Sequence, residues 1–280
     1  MSIWDAATDS TSRTTEGGAV ELGLFGVMAL QAVLNAGAEP GYRLVRAHPG
    51  FGPRLAPHRV VRHHVLSSLL EAGVLAPIPS KARLDDRIRD AKWETDSSLE
   101  DADWQVVWNV ESRRCPHHEL SEYLQDMELS ARTQEVLLQT WQLLGTGECL
   151  AFGEYALACH NLNPAIARGA AAALPSILAR HSIGQGCALM WSAAKHVASS
   201  FMRYGIRQES AVERDFVSSF CAISDRVNGS SSPLREFTRH ASIPLSTLTR
   251  SLCAASHLSE SYWSSPVSES SIDRAFPDTQ

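Results

Sequence analysis

Pro57-His58-Arg59-Val60-Val61-Arg62-His63-His64-Val65-Leu66-Ser67-Ser68-Leu69-Leu70-Glu71-Ala72-Gly73-Val74-Leu75 is the stretch that decides the reading of this chain. Val60, Val61, Val65, Leu66, Leu69 and Leu70 recur at helical spacing on one side, and Arg59, Arg62 and His63 share the other. Gly73 stands where a left-handed residue ends a helix, and Val74-Leu75 then reads as a strand. The pattern is a basic helix delivered straight into a strand.

The flanking sequence extends this unit. Ala19 to Ala36 is a mostly apolar helix ended by Gly37 and Pro40, and its near-continuous apolar character predicts burial on more than one side. Gly41 to Ala56 holds Pro49, Gly50, Gly52 and Pro53, which leaves only a short regular element around Tyr42–Ala47. Trp104 to Val110 is the clearest strand, rich in aromatic and β-branched residues, and is expected to pair with Val74-Leu75. Between them Lys81 to Lys92 is of mixed charge and reads as a short helix, while Glu94 to Asp103 carries five carboxylates and no base.

Ala19–Ala36, Pro57–Ala72 and the strands at Val74-Leu75 and Trp104–Val110 together resemble a winged-helix DNA-binding domain. The resemblance covers about a third of the chain and implies three helices, a small β-ribbon, and a recognition helix at Pro57–Ala72. Two features depart from the pattern: the second helix has only Tyr42–Ala47 to occupy, and the connection from Ala76 to Asp103 exceeds a usual wing. DNA recognition needs cations that reach phosphates and an exposed helix face that fits a major groove about 12 Å wide. Arg59, Arg62, His63 and Ser67 are the expected groove-facing residues, with Arg43, Arg46 and Arg54 as backbone contacts.

Bulk properties limit the partners. The chain has 280 residues, 44% of them apolar, and a net charge of −6, which argues against wholesale coating of nucleic acid. Charge is unevenly placed: residues 38–92 hold ten basic against five acidic side chains, so that segment is +5 and the remainder −11. Such asymmetry fits a local anionic partner. Residues 1–17 are polar and predicted to be disordered, with no secretory pattern. The longest apolar run, Leu22 to Leu34, is shorter than the roughly 20 residues that span a bilayer, so no membrane and a cytoplasmic location are expected. The six cysteines lack CxxC spacing and read as free, mostly buried thiols.

With a boundary near Ser112–Pro116, the remaining chain reads as helical. Helices are predicted over Glu119–Asp126, Ala131–Leu144, Cys149–His160, Ala165–Arg180, Gly184–Tyr204, Gln208–Val227 and Leu245–His257, with breaks including Gly145-Thr146-Gly147. Ser130 and Ser182 are the expected N-caps. The serine-rich tail from 258 to 280 is expected to be disordered. Ile183, Cys187, Met190, Trp191, Ala194, Val197, Ala198 and Phe201 form an apolar stripe that suits a bundle core or a dimer interface. Ser182-Ile183-Gly184-Gln185 with Trp191 and Ala194-Lys195 resembles uncharacterised helical proteins of bacterial mobile elements, which implies no activity.

Other chemistry is sparsely signalled. Cys115-Pro116-His117-His118-Glu119 offers a close Cys/His pair, but no second pair completes a tetrahedral zinc set, and position 122 is Glu122 where HExxH needs histidine. Cys159-His160, and Cys187 with His181 or His196, bring thiols and imidazoles to one region, the basis for a helical enzyme. Gly184-Gln185-Gly186 follows no strand and lacks a third glycine, so no nucleotide cofactor is expected.

The sequence therefore predicts a mainly α protein: a winged-helix-like domain over 18–112 and an α-helical bundle domain over 116–257. The leading function is a DNA-binding regulator, transcriptional or mobile-element associated, with no metal or cofactor and with double-stranded DNA and a homodimer as partners. A protein-interaction module steered by Glu94–Asp103 is the alternative, and an enzyme with a Cys/His site the third.

Overall fold

His58 opens the helix at the centre of the N-terminal unit: its Nδ1 accepts the Val60 amide hydrogen at 3.2 Å, and Arg59–Glu71 (α3) follows. Val61, Val65, Leu66 and Leu69 of α3 are buried. Gly73 takes φ +69°, a left-handed position that glycine adopts without steric penalty, and its amide closes the helix on the Leu70 carbonyl. The chain then enters Leu75–Ile78 (β2), as the sequence predicts. This computed structural model describes residues 19–78, 99, 102–108, 115–204, 208–228, 234–241, 243–259 and 261–275. The expectations for residues 1–17, Lys81–Lys92 and the acidic run up to residue 101 fall outside these, apart from Leu99.

The described residues are mainly helical, with one small antiparallel sheet. They divide into two units. One contains the described residues up to Thr140 together with Leu245–His257. The other contains Trp141–Pro244 and the chain from Leu258 onward.

In the first unit Ala19–Gly37 (α1) is the hub. Val27, Met28, Ala29, Leu30, Ala32 and Val33 are all fully buried, which is why its apolar residues occupy more than one side. Around α1 lie α3, Phe51–Leu55 (α2), Pro116–Gln125 (α4) and Thr247–Ser256 (α9). Thr247 Oγ1 donates to the Ala32 carbonyl at 2.8 Å, and Ser251 Oγ to Gln31 Oε1 at 2.8 Å. Leu44–Val45 (β1), β2 and Asp103–Val106 (β3) form a sheet of order β1-β3-β2. Leu75 lies opposite Val106 and Val45 opposite Trp104, so the predicted pairing of the two later strands holds.

Two local expectations fail here. The regular element within Tyr42–Ala47 is a strand, and the helix between α1 and α3 is α2, in the proline- and glycine-rich segment. Pro53 sits in the first turn of α2, where its missing N–H has no intrahelical partner to lose.

In the second unit, Ala131–Cys159 (α5) is one unbroken helix, and the division between units falls within it. The predicted break at Gly145-Thr146-Gly147 is absent, because these residues are buried helix interior. A Cβ on Gly145 would lie 3.1 Å from Leu178 and 3.3 Å from Ile183, so this glycine serves close packing. Pro164–Ala170 is a 3₁₀ helix and Leu174–Leu178 (α6) a single short helix, where one long helix is predicted. Ile183–Tyr204 (α7) packs on Glu209–Asn228 (α8). Ser182 and Gln185 form a reciprocal capping box at the start of α7: Gln185 N donates to Ser182 Oγ at 3.2 Å, and Ser182 N to Gln185 Oε1 at 3.1 Å.

Over 258–259 and 261–275 the tail does not follow the expectation of disorder. Tyr262, Val267 and Ile272 are buried, Glu269–Ala275 forms α10, and Val267 N donates to the Leu178 carbonyl at 2.8 Å. Serine content concealed three apolar anchors spaced about two helical turns or fewer apart. Among the described residues, no helix is long and apolar enough to cross a membrane.

Candidate functional site

The predicted recognition residues separate into two groups. Arg59, His63 and Ser67 share one side of α3, whereas Arg62, four residues before Leu66 and seven before Leu69, falls on the side of the buried valines and leucines, against the expectation. Arg59 is exposed and the other three are partly exposed. Ser67 Oγ and the His63 Nδ1 atom, one turn apart, are 3.3 Å from each other. Burial pushes the pKa of His64, next to them, below the usual histidine value, and its ring lies 5.5 Å from that of Phe25.

Arg43, Arg46 and Arg54 are elsewhere. Arg43 Nη1 donates to the Trp108 carbonyl at 2.7 Å, beyond the end of β3. Arg46 donates to Glu39 Oε1 at 2.7 Å and to Asp103 Oδ2 at 2.8 Å. These bonds, that to Glu39 foremost, raise its pKa above the ordinary arginine value. Partial burial works upward on Asp103, but bonds from Arg46 and the Ala47 amide prevail and hold its carboxyl below the usual carboxylate range. Arg54 ends α2 with an exposed side chain, and its carbonyl accepts a bond from Thr247 Oγ1 at 3.1 Å.

The Cys/His sites do not assemble. Cys115 is exposed at the start of α4, while His117 Nε2 is 2.9 Å from Asn35 Oδ1, and His118 is 3.4 Å from Glu122 across one turn. Cys159 is exposed and hydrogen-bonded with the Tyr155 hydroxyl; the neighbouring His160 ring lies 5.4 Å from that of Trp191. Cys187 is fully buried, and burial together with a hydrogen bond to Cys149 raises its thiol pKa well above normal. A thiol so shielded is a poor nucleophile. None of the six cysteines is in a disulfide, but only Cys149 and Cys187 are buried, against the expectation that most would be.

The second unit contains a group that the sequence reading misses. Glu148, midway along α5, is 0% exposed. Arg239 Nη1 lies 2.7 Å from both of its oxygens but donates to Oε2, leaving Oε1 without a hydrogen-bond partner. Burial, partly opposed by Arg239, raises the Glu148 pKa to about 7. The Arg239 guanidinium carbon sits 4.6 Å from the centre of the Trp263 ring.

Arg239 belongs to 234–240, an irregular segment clasped by α7 and Trp263. Phe237 N donates to the Gly184 carbonyl at 3.1 Å, Trp263 Nε1 to the Phe237 carbonyl at 2.6 Å, and Ser182 Oγ to Glu236 Oε1 at 2.8 Å. A side chain at Gly184 would meet the Phe237 carbonyl oxygen at 2.6 Å, so the segment requires glycine there. The Phe237 ring stands 5.8 Å from that of Phe152 and 6.5 Å from that of Trp191. One sequence signal pointed to this group: Glu148 is the sole charged residue between Val136 and Gly153.

No family model, curated protein or solved structure matches the chain.

Proposed function

We propose that this chain is a DNA-binding regulator whose first unit is a winged helix and whose α3 enters the major groove. The observation that carries the reading is the division of α3 into a buried apolar side and a side bearing Arg59, His63 and Ser67, with Arg62 partly exposed at the edge of the buried side. The order α1-β1-α2-α3-β2-β3, with the sheet arranged β1-β3-β2, supports it, because this places a helix immediately before a two-strand ribbon. Arg59 and Arg62 serve as phosphate or guanine contacts, and His63 and Ser67 as shorter polar groups further along the groove. The helical second unit is the sensing or dimerising half of a transcriptional or mobile-element regulator.

The test is a mobility-shift titration of duplex DNA at low and moderate salt, with the parent chain and the Arg59→Ala/Arg62→Ala variant. Two lost phosphate contacts reduce the salt slope by about 2 and weaken binding. Equal affinity in parent and variant, or a parent with no salt-dependent binding, overturns the reading. A protein that co-purifies stoichiometrically with a parent that binds no DNA favours the interaction-module alternative.

A further inference from the structure

We propose that Glu148 and Trp263 form a guanidinium-binding site, occupied in cis by Arg239, that accepts the arginine side chain of a competing ligand. The inference concerns the second unit and is independent of DNA binding.

Three observations support it. A carboxylate with no exposed surface lies behind a guanidinium that retains partial exposure, 21% for the Arg239 side chain, so solvent reaches the site through the arginine's own position. The resident arginine serves that carboxylate incompletely: one nitrogen approaches both oxygens, and Oε1 has no hydrogen-bond partner. A planar guanidinium can place two N–H groups on the two oxygens at once, so an arginine approaching in that geometry would give Oε1 a donor of its own, where Arg239 brings a single nitrogen to both oxygens. Trp263 supplies a ring face 4.6 Å from the cation, the second element of guanidinium recognition.

The resident arginine also arrives on a segment suited to displacement. Residues 234–240 have no helix or strand structure, and Arg235 and Thr238 are exposed. The segment docks through Glu236 on Ser182, Phe237 beside Phe152, and Arg239 on Glu148. It is thus an irregular acidic–aromatic–x–arginine peptide that the unit already recognises.

The experiment uses the full chain with Arg239→Ala, which vacates the site. Thermal unfolding is followed against low-millimolar guanidinium chloride, with ammonium chloride at equal ionic strength as control. A saturable rise in Tm with guanidinium and none with ammonium is expected, and Glu148→Gln/Arg239→Ala abolishes it. The peptide Leu-Arg-Glu-Phe-Thr-Arg-His, copying 234–240, is the second probe. If it acts at lower concentration than the free ion, the site reads an arginine in an irregular segment; if not, it reads the side chain alone. Should Arg239→Ala not fold, Arg239→Lys retains the charge while lacking the fork, and the same guanidinium-specific rise is expected. An equal response to ammonium, no response at all, or a rise that survives Glu148→Gln overturns the proposal.

Discussion

Asp103 holds two consecutive residues just after β1: its Oδ2 accepts from Arg46 Nη1 at 2.8 Å and its Oδ1 from the Ala47 amide at 2.8 Å. The last acidic residue of the Glu94–Asp103 run is thereby committed to a basic residue next to β1. Arg46, engaged by Glu39 as well, has its charge locally compensated. Arg46→Ala is therefore expected to leave the salt dependence of DNA binding close to that of the parent, while Arg59→Ala reduces it. Equal reductions in parallel shift titrations would show that the two arginines contact phosphate alike.

Glu148 makes a pH-dependent contribution with a definite sign. Its pKa is about 7 in the folded chain against an ordinary 4.5, so the native state holds this proton to higher pH than the unfolded chain does. Between those values unfolding releases a proton, and stability falls as pH rises; the full penalty is present above pH 7. The shift corresponds to on the order of 3 kcal/mol. Denaturant unfolding at pH 5 and pH 8 should show a larger loss on raising the pH for the parent than for Glu148→Gln. Identical losses would mean that another group sets the slope.

Gly184→Ala is expected to destabilise the second unit. The new methyl would stand 2.6 Å from the Phe237 carbonyl oxygen and 2.8 Å from Trp263 Nε1, and both must move. Overpacking of this kind costs about 1–3 kcal/mol. The accompanying sign is a change in Trp263 emission in the folded variant, because its indole N–H donates to that same carbonyl. A variant with parental stability would mean that 234–240 shifts freely.

Helix α9 is integral to the first unit. Leu248 and Leu252 are fully buried, and Thr247 bonds to the carbonyl of Ala32. Leu252→Ala should destabilise by about 2–5 kcal/mol, and Thr247→Val by about 1–3 kcal/mol through the carbonyls it leaves unserved. Calorimetry or denaturant titration of the full chain measures both; an effect under about 0.5 kcal/mol for Leu252→Ala would show α9 to be peripheral.

What the sequence disclosed depends on how local each determinant is. The course of α3 and its stop at Gly73 follow from periodicity and one backbone preference, both contained in nineteen consecutive residues. The Ser182 cap is equally local, involving a partner three residues away. The unbroken α5 was not legible, because Gly145 looks like a terminator until Leu178 and Ile183 are seen beside it. Nor was the docking of 258–275, where single apolar residues such as Tyr262 and Ile272 are diluted by serine. The candidate interface was readable as a helix face, but the pairing of Arg46 with Asp103 spans 57 positions and has no pattern in one dimension. The Glu148–Arg239 bond, across 91 positions, is hidden for the same reason.

The bond between Thr247 and Ala32 spans 215 positions, and α1 has its last covering helix only when Leu245–His257 arrives. On the ribosome, synthesis proceeds from the N-terminus at about 5–20 residues per second. The first unit thus starts before Trp141–Pro244 and is completed only after it, with the α1 surface that receives α9 bare while Trp141–Pro244 is being made. For that interval, on the order of 5–20 seconds, the nascent chain presents an apolar helix face of the kind that chaperones capture. Any premature stop before residue 245 leaves that face of α1 without the helix that covers it.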